Sequence, residues 1–176
     1  MSQMKTKDLV ILSLLVGIGA VLHAVIPPIL FGMKPDMLLS MMFLGIILFP
    51  KPNYVLVLSL VTGAVSALTT GMPGGQIANV IDKPVTAFVF LGLFLLIRNR
   101  ININISAPLL TGIGTIVSGS VFLIVVLFIL NVIEGAFIPL LIGIVLPAAV
   151  INTIIMVIVY PIANSIQKRM NPMTVQ

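Results

Sequence analysis

The chain has 176 residues, of which 60% are hydrophobic and only 7% are charged. Soluble domains carry roughly a quarter charged residues, so this composition excludes a water-soluble globular protein. The chain has no cysteine and one histidine, His23, which excludes a disulfide framework and a metal site built from several histidines. The net charge is +5, but the basic residues stand singly between apolar segments, which excludes a nucleic-acid-binding face.

Six apolar runs follow one another along the chain. Backbone polar groups inside a bilayer must be bonded internally, and continuous apolar runs indicate helices rather than barrel strands. The runs cover about residues 9–26, 37–49, 54–69, 84–97, 107–130 and 138–163. They predict an all-α integral membrane protein in which residues 1–176 form one membrane domain of six transmembrane helices, surrounded by lipid.

The distribution of basic residues predicts the orientation in the membrane. Cytoplasmic segments of membrane proteins carry an excess of lysine and arginine. With the amino terminus in the cytoplasm, the inner segments hold Lys5, Lys7, Lys51, Arg98, Arg100, Lys168 and Arg169, whereas the outer segments hold Lys34 and Lys83. We therefore expect both termini to be cytoplasmic.

The first apolar run carries a narrow face of small residues. Ser13, Gly17, Ala20 and Ala24 recur at helical spacing. Small residues let another helix approach closely, and in lipid it is packing that drives helices to associate. This face has two interpretations, close packing within the chain's own bundle or docking onto a separate membrane subunit.

The first outer segment contains His23, Lys34 and Asp36. A charge at membrane depth costs about 2.5–3.5 kcal/mol on insertion scales, so it normally has a partner or a task. The short run that follows, about 37–49, is less than a full crossing and predicts a loop that dips towards a pocket. The alternative is that these are ordinary interfacial loop charges.

The second outer segment has a more specific pattern. Its flexible Gly74-Gly75 pair precedes Gln76, and backbone amides at such a pair can approach a ligand. If a helix begins near Asn79, one face presents Asn79, Asp82, Lys83, Thr86 and Phe90. That face predicts an outward pocket of mixed charge, and the alternative is a capped helix start with Asp82 and Lys83 as a solvated pair.

The last two apolar runs carry isolated polar residues. Glu134 lies at the outer end of the fifth, Asn152 lies well inside the sixth, and the fifth has a stripe of Thr111, Thr115, Ser118 and Phe122. Hydroxyl residues in transmembrane helices are mostly packing contacts, which is the interpretation we prefer for this stripe. Asn152 is equally compatible with packing and with ligand binding.

Several enzymatic motifs are missing from the sequence. It has no P-loop, no H-E-x-x-H and no Ser-His-Asp set, so neither ATP hydrolysis nor hydrolytic catalysis is indicated. Two matching halves with broken helices, typical of many secondary transporters, are also not evident. We expect a non-enzyme with no cofactor of its own, and a chain of this size would need a partner to complete an alternating-access machine.

Two segments resemble a known family. LLVGIGAVLHAVIPPILFGMKPDMLLSMMFLGIILFPK and TGMPGGQIANVIDKPVTAF are similar to the bacterial tryptophan-transport TrpP family, over about residues 7–165, and the architecture resembles the S components of energy-coupling factor transporters. The resemblance implies a subunit that captures substrate outside and associates with a transmembrane coupling subunit and two cytoplasmic ATPases. It also implies that Ser13 and Gly17, extended by Ala20 and Ala24, contact the coupling subunit.

If the substrate is a tryptophan zwitterion, its chemical groups suggest roles for the candidate residues by residue type. Its carboxylate could be bound by Lys34, Lys83 and the Gly74 and Gly75 amides, and its ammonium by Asp36, Asp82 or Glu134. Its indole needs apolar walls and an acceptor for the ring N–H. The candidate walls are Phe31, Phe43, Phe88, Phe90 and His23, and the candidate acceptors are Gln76 and Asn79.

Other functions fit the same sequence. One is a proton-coupled secondary transporter of an aromatic amino acid that uses His23, Asp82 or Glu134 as a relay. Another is an S component for a different heteroaromatic vitamin, and a third is a membrane accessory factor that binds no small molecule. Dependence on ATPases and direct binding measurements separate these alternatives.

Overall fold

The computed structural model describes residues 4–27, 35–132 and 134–170, and all regular secondary structure within these ranges is helical. The helices are α1 Thr6–Val25, α2 Met37–Leu48, α3 Pro52–Thr69, α4 Gly75–Ile97, α5 Ile103–Ile129 and α6 137–170. Helix α5 ends in a π-helical turn, Val125–Ile129, and α6 contains another, Leu141–Val145. The prediction of an all-α fold is confirmed for the part of the chain described.

The helices differ in their capacity to cross a membrane. Among the described residues, five helices are long and apolar enough to span it: α1, α3, α4, α5 and α6. Helix α2 has 12 residues, a length of about 18 Å against an apolar bilayer core of about 30 Å. The short second run was expected from the sequence, and α2 alone does not reach across a bilayer.

Helix α2 lies at the centre of the bundle. Residues 37–47 are all buried, and α2 packs against α1, α3, α4, α5 and α6. A helix that is apolar on every side is stable only when protein or lipid surrounds it completely, and here the other helices do so. Its amino-terminal cap is Asp36, whose carboxylate accepts a 2.9 Å hydrogen bond from the Leu39 amide.

Two ends of the bundle can be distinguished. At one end the Tyr54 hydroxyl donates to Asp8 at 2.8 Å and accepts from the Lys5 amide at 2.8 Å, which fastens the start of α1 to the start of α3. Short connections place successive helices antiparallel. We call this end, which holds residue 170, the terminus end. The opposite end comprises residues 26–27, 35–36, 70–75, 130–132 and 134–136.

Helix α4 begins at the opposite end, at Gly75, nine residues before the apolar run that starts near residue 84. The apolar run underestimates the length of the helix because the first turns carry Asn79, Asp82 and Lys83, which a hydropathy scale scores as polar. Gly74 caps the helix at φ +73°, and a Cβ there would lie 2.6 Å from the Val132 side chain. Only glycine tolerates both conditions at low cost.

Candidate functional site

A cavity of about 250 Å³ lies among α3, α4, α5 and α6, with His23, Asp36 and Leu39 completing its wall. Small-molecule sites usually have about 300–1,000 Å³ and combine apolar walls with a few polar groups. The polar lining is His23, Asp36, Ser66, Thr70, Asn79, Asp82, Lys83, Thr115, Ser118 and Asn152. The cavity is therefore suited to one small, polar-ended molecule.

One wall of the cavity holds a buried network that we call the charged cluster: Asp36, Asp82, Lys83, Thr86 and Ser118. The Lys83 Nζ lies 2.9 Å from an Asp82 oxygen and 3.2 Å from an Asp36 oxygen. The second Asp82 oxygen accepts a 2.7 Å bond from Thr86, and the first also accepts a 2.6 Å bond from Ser118. Asp82 is 0% exposed and Lys83 2%, so a solvated pair is excluded.

The hydrogen-bonding capacity of Lys83 is fully used. An ammonium group has three N–H donors, and Lys83 directs them at Asp82, Asp36 and, at 3.4 Å, the Ser118 hydroxyl. Buried charges persist only when they are paired and hydrogen-bonded. The expectation that Lys83 binds a substrate carboxylate therefore requires that one of these contacts be displaced first.

Asp36 and His23 are the more accessible polar groups of the cavity. Their side chains are 30% and 22% exposed, against 3% for that of Lys83, and the His23 Nδ1 lies 4.0 Å from an Asp36 oxygen. The Asp36 carboxylate also lies 3.2 Å from the Lys83 Nζ and accepts a hydrogen bond from the Leu39 amide. Among the described residues, the ionisable side chains that line the cavity are two carboxylates, Asp36 and Asp82, one ammonium, Lys83, and the imidazole of His23.

A second wall holds an uncharged pair, Asn152 and Thr115. The Thr115 hydroxyl donates to the Thr111 carbonyl at 2.8 Å, so its oxygen can only accept from Asn152, whose Nδ2 lies 3.2 Å away. That bond fixes which way the amide points. The Asn152 Oδ1 is then buried with no hydrogen-bond partner among the described residues, and the same holds for the Ser66 hydroxyl.

The aromatic residues divide between cavity, core and surface. Phe122, at the end of the hydroxyl stripe on α5, lines the cavity together with Thr115 and Ser118. Phe43 and Phe90 are 0% exposed and stack on each other with ring centroids 4.2 Å apart. Phe88 is 42% exposed on the outside of the bundle. Phe31, the remaining candidate wall, lies outside the described residues.

The stripe on α5 contributes more to the cavity than the packing interpretation implied. Thr115 and Ser118 each bond a polar side chain from another helix, and both line the cavity with Phe122. The sequence carried the signal, since the three residues are spaced three or four apart on a face that also presents Thr111. Hydroxyl residues alone do not reveal whether they meet a cavity or a helix backbone.

The remaining candidates lie away from the cavity lining. Gln76 and Glu134 are exposed. A Cβ on Gly75 would contact Thr70, and its amide donates to the Met72 carbonyl at 2.9 Å. Gly74 packs against Val132, as described above. Lys34 lies outside the described residues, and within those residues no group of three or more potential ligands is placed to hold a metal ion.

Asn79 lies at the edge of the cavity on α4. Its Nδ2 donates to the Gly75 carbonyl of its own helix at 2.8 Å and approaches the Ser66 carbonyl at 3.5 Å. These bonds direct the amide nitrogen towards the backbone of α3 and α4, so Asn79 helps to join the two helices as well as lining the site.

The small-residue face of α1 lies on the outside of the bundle. Ser13, Gly17 and Ala24 are exposed, and Ala20 is half-buried against the core. A Cβ added at Gly17 would meet no other atom within 4 Å. The Ser13 hydroxyl bonds the Leu9 carbonyl of its own helix at 2.6 Å. Among the described residues, no other helix of this chain packs onto Gly17.

Comparison with known proteins agrees with a membrane transporter. The family model for the tryptophan transporter TrpP matches residues 5–168. The chain belongs to the TrpP family. A protein of Bacillus subtilis (strain 168), named "Probable tryptophan transport protein", is 57% identical over 166 residues, covering 94% of this chain and 95% of the relative.

Two clostridial relatives carry the same name. The one from Clostridium acetobutylicum is 42% identical and covers 90% of this chain and 92% of its own length. The one from Clostridium perfringens is 33% identical and covers 93% and 94%. No solved structure matches the chain significantly. The resemblance to TrpP is thus confirmed, and this member is a multi-pass cell-membrane protein.

Proposed function

We propose that this protein binds tryptophan in the cavity among α3 to α6 and delivers it across the cell membrane. The observation that carries this proposal is a cavity of about 250 Å³ with charged groups at one wall and apolar residues at another, in a TrpP-family chain. Relatives over nearly the whole chain are named probable tryptophan transport proteins. An amino acid with a large apolar side chain matches both walls.

The ammonium group of the substrate is placed next to Asp36. This carboxylate is the more exposed of the two in the charged cluster, and a carboxylate attracts the ammonium of an amino acid. The indole then lies along the apolar wall that contains Leu39, Phe122 and Ala148. Lys34 remains a candidate for the carboxylate, since Lys83 already has three partners.

Calorimetric titration of tryptophan into the purified protein in nanodiscs tests this proposal. We expect saturable one-to-one binding in the absence of any ATPase, with thiamine and riboflavin giving no heat of binding. A folded, monodisperse protein that gives no heat with tryptophan would exclude it as the substrate. Binding of thiamine or riboflavin instead would support a heteroaromatic vitamin.

The protein acts in this proposal as the S component of an energy-coupling factor transporter, with six crossings and both termini cytoplasmic. Lys83 is buried beside the cavity, so it does not count as a loop charge at the opposite end, and the bias of basic residues towards the terminus end becomes stronger. The sixth crossing is α2 together with its flanking residues. The open face around Gly17 supports docking of a coupling subunit there.

Uptake measurements separate this mechanism from proton coupling. We expect tryptophan uptake to require coexpressed ATPases and coupling subunit, and Gly17→Leu to abolish uptake while leaving tryptophan binding within about twofold. The control variant Val157→Leu, on the exposed surface of α6 and away from the α1 face, should change neither. Uptake that needs no ATPase and collapses with a protonophore would instead establish the secondary-transporter alternative.

A further inference from the structure

We propose that Asn152 is the specificity-determining residue that accepts the ring N–H of a bound indole, an inference that rests on the proposed function. Its Oδ1 is buried without a partner among the described residues, in a side chain that is 0% exposed and lines the cavity. An unsatisfied acceptor at such a place is costly unless a ligand completes it.

The orientation of the amide leads to the choice of ligand group. Thr111 and Thr115 hold the Asn152 Nδ2 in place, which leaves the acceptor atom free to meet a donor. Indole has one polar hydrogen and no acceptor of comparable strength. The group left unsatisfied on this wall is an acceptor and not a donor, so it suits a ligand N–H rather than a ligand carbonyl or carboxylate.

The depth of Asn152 distinguishes the ring from the amino-acid head group. Thr115, its partner, lies three residues before Ser118 on α5, about 4.5 Å closer to the terminus end. Ser118 belongs to the charged cluster. Between the opposite end and Asn152, α6 contributes Val145 and Ala148 to the cavity lining. A substrate with its ammonium at Asp36 thus extends its ring past an apolar wall towards Asn152.

The other candidate acceptors are less suitable. Gln76 is exposed on the outside of α4. Asn79 lies on α4 and bonds the backbone of α3 and α4 with its amide nitrogen, near the opposite end where the head group is placed. The Ser66 hydroxyl can act as donor or acceptor, so it discriminates poorly between ligands with and without an N–H.

A pair of ligands that differ in one hydrogen-bond donor provides the test. In 3-(benzothiophen-3-yl)alanine, sulfur replaces the ring N–H of tryptophan with little change in shape. We expect the wild-type protein to bind this analogue at least about tenfold more weakly than tryptophan, because an acceptor left unpaired carries a substantial penalty. Both affinities are measured by calorimetry on the full chain in nanodiscs.

The variant Asn152→Leu should remove that discrimination. We expect its two affinities to agree within about twofold, with the benzothiophene analogue bound at least as tightly as by the wild type. Binding of the analogue also shows that the variant is folded. Ser106→Ala is the matched control, since this buried hydroxyl likewise has no partner among the described residues but does not line the cavity. It should keep the full wild-type discrimination.

The outcomes separate the two proposals. Tryptophan binding with equal affinity for the analogue in the wild type would overturn the role of Asn152 and leave tryptophan as substrate. Unchanged discrimination in Asn152→Leu would do the same. Absence of tryptophan binding to the wild type would overturn the proposed function and this inference together. If Asn152→Leu binds neither ligand, the shorter variant Asn152→Ser is measured instead. Full wild-type discrimination in Asn152→Ser would overturn the proposal, and loss of the discrimination would support it.

Discussion

The two polar walls of the cavity differ in how completely their hydrogen bonds are satisfied. In the charged cluster, each donor of Lys83 and both oxygens of Asp82 have partners within the protein. On the uncharged wall, the Asn152 Oδ1 has no partner among the described residues, and neither has the Ser66 hydroxyl on α3. Groups that satisfy each other stabilise the fold, whereas groups left unsatisfied beside a cavity are available to a ligand.

This difference predicts which substitutions affect stability and which affect binding. When a member of the charged cluster is removed, the groups that it bonded stay buried and lose their partner, which destabilises the folded protein. Removal of an unsatisfied atom costs the folded protein little, because no internal bond is lost with it.

Lys83→Met should have the largest effect. It leaves the Asp82 carboxylate, which is 0% exposed, next to Asp36 with no counter-charge, and breaking a buried pair in this way costs about 3–5 kcal/mol. Unfolding titrations in mixed micelles measure the loss. The double variant Asp82→Asn, Lys83→Met should recover part of this loss, because it removes the buried carboxylate together with the lysine and leaves no unpaired charge at position 82.

The exposed Arg100, in the connection between α4 and α5, provides the control for this variant. Arg100→Gln should change the free energy of unfolding by about 0.5 kcal/mol or less, as is usual for surface substitutions. A Lys83→Met protein as stable as this control would contradict the view that the charged cluster holds α2, α4 and α5 together.

The sequence predicted the charged wall better than the uncharged one. Asp82 and Lys83 stood out because charges inside an apolar chain are rare, and helical spacing placed Asn79 and Thr86 on the same face. A helix of the structure overlaps each of the six apolar runs, but α4 begins nine residues before its run and α6 continues to residue 170, beyond the run that ended near 163. Asn79, Asp82 and Lys83 in the first turns of α4 are buried against other helices. A hydropathy profile scores these residues as polar and does not detect that neighbouring helices bury them.

The aromatic and uncharged residues were harder to assign. Phe43 and Phe90 stack in the core, Phe88 lies on the surface, and Phe122 lines the cavity. All four are phenylalanines in apolar helices, so their environment depends on how the helices rotate against each other. The unsatisfied state of Asn152 depends in the same way on Thr111 and Thr115, whose bonds only tertiary packing can establish.

Ser118→Ala should have an intermediate effect on stability. Its hydroxyl donates to Asp82 at 2.6 Å and accepts from Lys83 at 3.4 Å, and hydrogen bonds to charged groups contribute about 1.5–3 kcal/mol. Ser120→Ala is the matched control on the same helix, because its hydroxyl bonds only the Ile116 carbonyl at 2.7 Å. Equal unfolding free energies for the two variants would mean that Ser118 adds nothing specific to the cluster.

Asn152→Leu should have the smallest effect on stability although it has a large effect on ligand selectivity. The substitution loses one neutral bond to Thr115, at 3.2 Å, and such bonds contribute about 0.5–1.5 kcal/mol. It also removes the unsatisfied Oδ1 and adds apolar surface to a buried site, which offsets that loss. We therefore expect the free energy of unfolding without ligand to stay within about 1 kcal/mol of the wild type. In saturating tryptophan the wild type should gain more stability than the variant, because binding stabilises the folded state in proportion to its affinity. A variant that unfolds as readily as Lys83→Met would show that Asn152 holds the fold together, and the distinction between the two walls would then be wrong.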